Sequence, residues 1–238
     1  MYGKNEVAKS RTIDEGFLVH SIFHTLQGEG PFAGHPALFV RFAGCHLKCF
    51  WCDTSFEGGD RFFLDQLTRK IVTMLSERPT TKLIVFTGGE PMLQPLHALL
   101  QDLPDDVIFQ VETAGATWPI GFDMKDMLVK HTSRLHFVVS PKTPTLHPRA
   151  VINANAWKYI IAPNEVGFDG LPVSSTQLEG RSALIFRPPT GHHAPIYVQA
   201  RDDGDPVKNL ANQKFAAEIA MKHGYRLSTQ IHKLLDLP

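Results

Sequence analysis

Short runs rich in β-branched and aromatic residues recur along this chain as FLVHSIF, ALFVRF, KLIVF, VIFQV, LHFVV, WKYII, ALIF, IYVQ and RLSTQI. Most are separated by stretches long enough to hold a helix. Parallel pairing needs such crossovers, so the spacing predicts an α/β fold with a mainly parallel sheet, open or curled into a full or partial barrel. Two helices are legible. Leu64, Leu67, Ile71 and Leu75 fall three or four apart and make one apolar stripe, and Val207, Leu210, Phe215 and Ile219 nearly repeat the pattern. Asp205 is placed to cap the second helix, Pro206 fits its first turn, and Gly224 suits a left-handed ending.

The chain has 238 residues, enough for one substantial domain. Lys plus Arg and Asp plus Glu stand at 24 each, so no basic field draws in nucleic acid or an anionic membrane. The opening MYGKNEVAKSRTIDEG lacks the apolar core of a secretory signal, and no later run approaches the roughly 20 apolar residues of a membrane span. The expectation is a cytoplasmic protein without nucleic-acid or membrane partners, with 1–16 a polar tail and 17–238 a single domain. Proline and glycine clusters at Pro163 to Pro172 and Pro188 to Pro195 read as long loops within it. His192 and His193, in the second cluster, read as an exposed pair rather than metal ligands.

Several apolar runs end in polar residues. KLIVF runs into Thr87-Gly88-Gly89-Glu90, VIFQV into Glu112-Thr113, LHFVV into Ser140-Pro141-Lys142, IYVQ into Ala200-Arg201-Asp202, and RLSTQI into His232-Lys233. In parallel α/β folds the strand ends share one edge, where ligands bind, so these stretches are expected to converge on one mouth.

All three cysteines lie in GCHLKCFWCDT, residues 44–54. An odd, clustered set in a reducing compartment favours metal or redox chemistry over a disulfide. Structural zinc needs a fourth ligand, for which His24, His35 or His46 is available. A four-iron cluster can instead take three cysteines and leave one iron open to an exogenous ligand. Phe50 and Trp51 would shield such a group or simply pack.

C-x3-C-x2-C with an aromatic residue before the third cysteine resembles the radical S-adenosylmethionine superfamily, and Thr87-Gly88-Gly89-Glu90-Pro91 is similar to its GGEP motif. The segment FHTLQGEGPFAGHPALFVRFAGCHLKCFWCDT, Phe23 to Thr54, narrows this. With TGGEP, ETAG, SPK and HKLLDLP it resembles the 7-carboxy-7-deazaguanine synthase family of queuosine and deazapurine biosynthesis. The resemblance implies a partial (β/α) barrel of the radical S-adenosylmethionine type. It implies a lyase that converts 6-carboxy-5,6,7,8-tetrahydropterin to 7-carboxy-7-deazaguanine with loss of ammonia, using S-adenosylmethionine catalytically.

Residue by residue, the resemblance implies Cys45, Cys49 and Cys52 as ligands of a 4Fe-4S cluster in loop 44–54, and Thr54 as a Mg²⁺ contact. Gly89, Glu112, Ser140, Pro141, Lys142, Gln199, Ala200, Arg201 and Asp202 would hold S-adenosylmethionine. Leu26, Gln27, Gly28, Glu29, Arg41, Thr87, His232 and Pro238 would bind the pterin, the last two from a C-terminal segment, 226–238. Ala114 and Ala200 stand where the family pattern carries Asn and Pro, which weakens the contacts inferred there. A flavodoxin or ferredoxin electron donor and a homodimer are also implied. On residues alone, Arg41 is better read as an ion-pair partner of Glu29 or another acid. Two other functions share some of these features: a radical activating enzyme acting on a partner protein, and a non-catalytic zinc module.

Overall fold

Along each central strand the side chains alternate between two environments, and this alternation both builds the core and furnishes the site. The computed structural model describes residues 7–123, 133–177 and 184–238. Its strands are β1 (Phe17–Leu26), β2 (Pro36–Phe42), β3 (Asp60–Phe62), β4 (Leu83–Gly88), β5 (Ile108–Thr113), β6 (Leu135–Val139), β7 (Ala154–Ile161), β8 (Ile196–Ala200) and β9 (Arg226–Ser228). They form one nine-stranded sheet in the order β3-β1-β2-β4-β5-β6-β7-β8-β9. From β2 to β9 every neighbour is parallel, while β1 runs antiparallel to β2 and β3. The described helices are α1 (Leu64–Glu77), α2 (Leu96–Asp102), α3 (Pro148–Ile152), α4 (Pro206–His223) and α5 (Ile231–Leu234).

One strand face carries Leu38, Val40, Phe42, Ile84, Phe86, Phe109, Val111, Phe137, Val139, Trp157 and Tyr159, which pack under the helices as the main core. Register continues the aromatic packing across strands: Phe86 stacks 6.1 Å from Phe42 and 6.0 Å from Phe109. Fully burying each such side chain contributes about 1.5–3 kcal/mol. Helix α1 presents Leu67, Ile71 and Leu75 to this core, as its stripe predicts.

Helix α4 forms where expected, with Asp205 accepting from Val207 N and Lys208 N and Gly224 closing it at φ 70°. Its buried face differs from the expected stripe. Asn212, Ala216, Ile219 and Ala220 face inward, whereas Val207 and Leu210 are exposed. Small alanines let the helix lie close to the sheet, and Asn212 is anchored by donating to the Arg201 carbonyl at 2.8 Å.

Other departures have local causes. Leu184–Phe186 of the ALIF run form no strand; Ile185 is buried in the core, and Phe186 N donates to the Thr143 carbonyl. Ala183 lies outside the described residues. RLSTQI is strand only over Arg226–Ser228, and the chain turns helical at Ile231. His192 is not an exposed loop residue: its ring meets Trp157 edge-on at 5.2 Å and one nitrogen pairs with the Val151 carbonyl. His193 is exposed.

The segment after β1 crosses to the far end of the sheet. Gly30 N donates to Ser228 Oγ at 3.0 Å, and Ile231 N to the Gly28 carbonyl at 3.2 Å. The sheet is thus curled into a partial barrel. Residues ahead of β1 are pinned as well: Ala8 N donates to the Cys45 carbonyl and Arg11 N to that of Leu93. Among the described residues, no helix is long and apolar enough to cross a membrane.

Candidate active site

The thiol loop begins where β2 ends, against the turn that follows β4. Gly89 N donates to the Phe42 carbonyl and Glu90 N to that of Gly44. A Cβ on Gly89 would lie 2.0 Å from Gly44 O, so only glycine permits this approach. Glu90 is buried and joins the ends of β4 and β5. Its Oε1 accepts from Met92 N at 3.0 Å and Thr113 Oγ1 at 2.6 Å, and its Oε2 from Ala114 N at 2.9 Å. The GGE sequence therefore sets the height of the thiol loop over two strand ends.

Cys45, Cys49 and Cys52 are all unpaired thiols and line one cavity of about 430 Å³. Leu47, Phe56 and Ala114 give them an apolar surround. Burial, reinforced by the charge of Glu90, pushes the Cys45 thiol up to about 12. Among the described residues no three His, Cys, Asp or Glu side chains converge closely enough to hold a single metal ion. Three thiols of one loop in an apolar surround are a donor set that suits an iron–sulfur cluster. Of the histidines that would complete a zinc site, His24 pairs with the Met74 carbonyl and His35 with that of Phe32, and His46 does not line the cavity.

The inner strand face supplies the cavity floor. By strand parity Arg41, Thr87, Gln110, Glu112, Lys158 and Gln199 point opposite to the main core. Lys158 Nζ lies 2.6 Å from Glu29 Oε2 and 2.6 Å from Glu112 Oε2, all three side chains being nearly inaccessible. Gln230 donates to Glu29 Oε1, while Gln110 and Gln27 donate to Glu112 Oε1. Burial would raise Glu29, but the charge and hydrogen bond of Lys158 outweigh it, with Gln230, and bring it down to about 2. For Glu112 burial wins over Lys158, and its value is raised. The two acids of the floor are thus shifted in opposite directions around one shared lysine.

Arg41 does not pair with Glu29, which Lys158 has taken. Its guanidinium stacks 5.4 Å from the Phe23 ring, its Nε is buried without a hydrogen-bond partner among the described residues, and burial lowers its value. A cation so placed in the cavity wall is suited to an anionic ligand.

At the mouth Lys233 joins Asp53 at 2.7 Å to Asp202 at 2.5 Å, bringing the thiol loop and the end of β8 together. The hydrogen bond from Lys233 brings Asp202 down to about 2 despite burial. Gln27, Glu29, Arg41, Thr54, Thr87, Gly89, Glu112, Ser140, Lys142, Gln199, Ala200, Asp202 and His232 share the cavity with the thiols. Pro141 and Arg201, with Lys142 again, line an adjoining hollow of about 340 Å³ beside Trp51. Arg201 is held there by both Glu165 oxygens and by Asp203. Leu26, Gly28 and Pro238 line neither space, although Gly28 presses on His232 and Leu237 reaches the cavity.

Reading the sequence did not assign a role to Lys158, Gln230 or Asp53, and named Lys233 only among the polar residues expected at the mouth. Lys158 was legible in principle: a lysine inside WKYII, on the parity opposite to Trp157 and Tyr159, must point into a polar interior or find acids there. The other three are surface-type residues whose pairing depends on the sheet's curl.

A partly closed parallel barrel that mounts three thiols of one loop beside a GGE turn, above a polar inner face, has the design of a radical S-adenosylmethionine enzyme. No family model matches the chain. It is 40% identical over 252 residues to the 7-carboxy-7-deazaguanine synthase of Rhodospirillum rubrum, covering 100% of both chains. It is 34% identical over 229 residues to that of Rickettsia prowazekii, covering 92% of this chain and 88% of the relative. The crystal structure of QueE from Escherichia coli superposes with a TM-score of 0.56 at 21% identity, covering 90% of this chain and 93% of that one, and confirms the fold. The chain belongs to the 7-carboxy-7-deazaguanine synthase family, and with it to the radical S-adenosylmethionine lyases.

Proposed function

We propose that this protein converts 6-carboxy-5,6,7,8-tetrahydropterin to 7-carboxy-7-deazaguanine and ammonia. Removing ammonia from that pterin gives the product's composition, so the overall reaction consumes no oxidant. The observation that carries the reading is the single cavity in which three thiols share an acid–lysine–acid floor with Arg41, whose Nε has no hydrogen-bond partner among the described residues. A 4Fe-4S cluster on Cys45, Cys49 and Cys52, with S-adenosylmethionine at its open iron, supplies the radical chemistry when bound.

The chain's residues bind, orient and exclude water. Arg41 clamps the pterin carboxylate through its fixed fork of donors. Glu29, kept ionised by Lys158, accepts from the amide-like edge of the ring, and Gln27 reads the same edge with one donor and one acceptor. Thr87 and His232 complete the pocket. Lys158 is a positioning residue that holds Glu29 against Glu112, and no side chain is assigned as general base. Gly89, Glu112, Ser140, Pro141, Lys142, Gln199, Ala200 and Asp202 would hold S-adenosylmethionine, and Arg201 would act through its ion pairs. Thr54, beside Asp53, is the Mg²⁺ contact. Holding the reacting atoms in contact is the protein's main contribution to rate. The reading includes a flavodoxin- or ferredoxin-type reductant, a homodimer and a cytoplasmic location.

Anaerobic turnover of the carboxylated tetrahydropterin with S-adenosylmethionine and a reductant, followed by mass analysis, tests the assignment. The expected product is 7-carboxy-7-deazaguanine with one ammonia released per turnover. Unchanged pterin in the presence of iron-loaded protein would overturn it.

A further inference from the structure

The segment from Pro172 to Gln177 lies in a long loop that no step above uses, yet it is fastened to the thiol loop. Phe50 N donates to the Thr176 carbonyl at 3.2 Å, and Lys48 N to Gln177 Oε1 at 2.9 Å. On its other side Thr176 N and Ser175 Oγ donate to the Lys142 carbonyl at 3.2 and 3.0 Å. The segment is therefore a strap between the Ser-Pro-Lys turn and the residues flanking Cys49. Two of its side chains end on the sulfur itself: Thr176 Oγ1 lies 3.0 Å and Gln177 Nε2 3.3 Å from Cys49 Sγ.

We infer that Thr176 and Gln177 donate hydrogen bonds to the Cys49 thiolate and thereby raise the reduction potential of the cluster it holds. The inference rests on the cluster assignment above. Once Cys49 binds iron it has no S–H, so only the threonine hydroxyl can donate. Its alternative acceptor, the Lys142 carbonyl, is more distant at 3.4 Å. Gln177 Nε2 carries two hydrogens, one for the sulfur and one for Thr176 Oγ1 at 2.9 Å. Reduction adds negative charge to the cluster, part of it on the thiolate sulfurs, so donors aimed at sulfur stabilise the reduced state more than the oxidised one. Among the described residues two side-chain donors reach Cys49, whereas the hydrogen bonds at Cys45 and Cys52 are to backbone, from Leu47 N at 3.4 Å and with Thr54. Side-chain tuning thus falls on the sulfur next to the strap.

The test is a potentiometric titration of the anaerobically reconstituted protein, monitored by electron paramagnetic resonance. Thr176→Val and Gln177→Met should each shift the midpoint potential to more negative values with iron content unchanged. The double variant should shift it further, and Thr176→Ser should restore the wild-type value. Deuterium exchange of the wild-type protein provides a second measurement free of substitution: exchangeable deuterons should couple to the reduced cluster, fewer of them in Gln177→Met. Unchanged potentials at full iron content would overturn the inference, as would loss of iron from variants with a native circular dichroism spectrum, which would assign the strap to retention. Absence of iron from wild type would instead reject the cluster assignment.

Discussion

Lys158 Nζ lies 2.6 Å from Glu112 Oε2 and holds Glu29 equally closely on its other side, so one buried cation serves two acids with opposite tendencies. Glu29 is lowered to about 2, below its ordinary value of about 4.3, and so contributes stability that is present above the ordinary value and lost as pH falls through the folded one. Glu112 is raised, so its contribution is present below the ordinary value and lost as pH rises through the folded one. Glu29→Gln should cost about 3 kcal/mol at neutral pH, the gap narrowing as pH is lowered from about 4.3 toward 2. Glu112→Gln should gain on wild type as pH rises above about 4.3. Urea unfolding of the three proteins across this range checks both signs.

Removing the cation is harsher. Lys158→Met leaves two buried carboxylates with no countercharge, for a loss of about 3–5 kcal/mol. One of the acids then takes up a proton. A proton-uptake titration on folding should show one more bound proton near neutral pH than wild type.

The contact between Gly89 and Gly44 predicts a defect separable from the floor. A Cβ at Gly89 would press on the Gly44 carbonyl at 2.0 Å, and neither backbone can yield without moving the thiol loop. Gly89→Ala is expected to cost about 1–3 kcal/mol and to retain less iron after anaerobic gel filtration, while Glu29→Gln retains it fully.

Much of this was legible in the sequence because it depends on local chemistry. The parallel sheet follows from the spacing of the apolar runs, and α4 from Asp205 and Gly224. The paired glycines and clustered thiols announce a shared site before any geometry is known. What was not legible depends on distance through the fold. The buried face of α4 is set by Asn212 reaching Arg201, and Arg41 does not pair with Glu29 because a lysine on a strand far away in sequence takes it. The strap is invisible for the same reason, since Gln177 meets Cys49 across 128 positions.

The chain end is a further test of the pocket. A Cβ on Gly28 would lie 2.1 Å from His232 Nδ1, and Leu237, though exposed, lines the cavity, so the C-terminal segment borders the pocket. Appending residues after Pro238 is expected to weaken pterin binding while leaving iron content intact, as measured by equilibrium binding to tagged and untagged protein. Gly28→Ala should reproduce the weakening by displacing His232.

The proposed Mg²⁺ contact at Thr54, beside Asp53, predicts a metal dependence. Turnover should fall when Mg²⁺ is removed and return on its addition, and Thr54→Val should blunt that response without changing iron content. Steady-state rates against Mg²⁺ concentration measure this.

Three thiols of one loop are proposed to hold a four-iron cluster with a free corner. Electron paramagnetic resonance of the reduced, reconstituted protein before and after S-adenosylmethionine is added addresses this most directly. The expected result is a cluster signal whose g-values change on addition. A signal indifferent to S-adenosylmethionine, or stoichiometric zinc in place of iron, would contradict it.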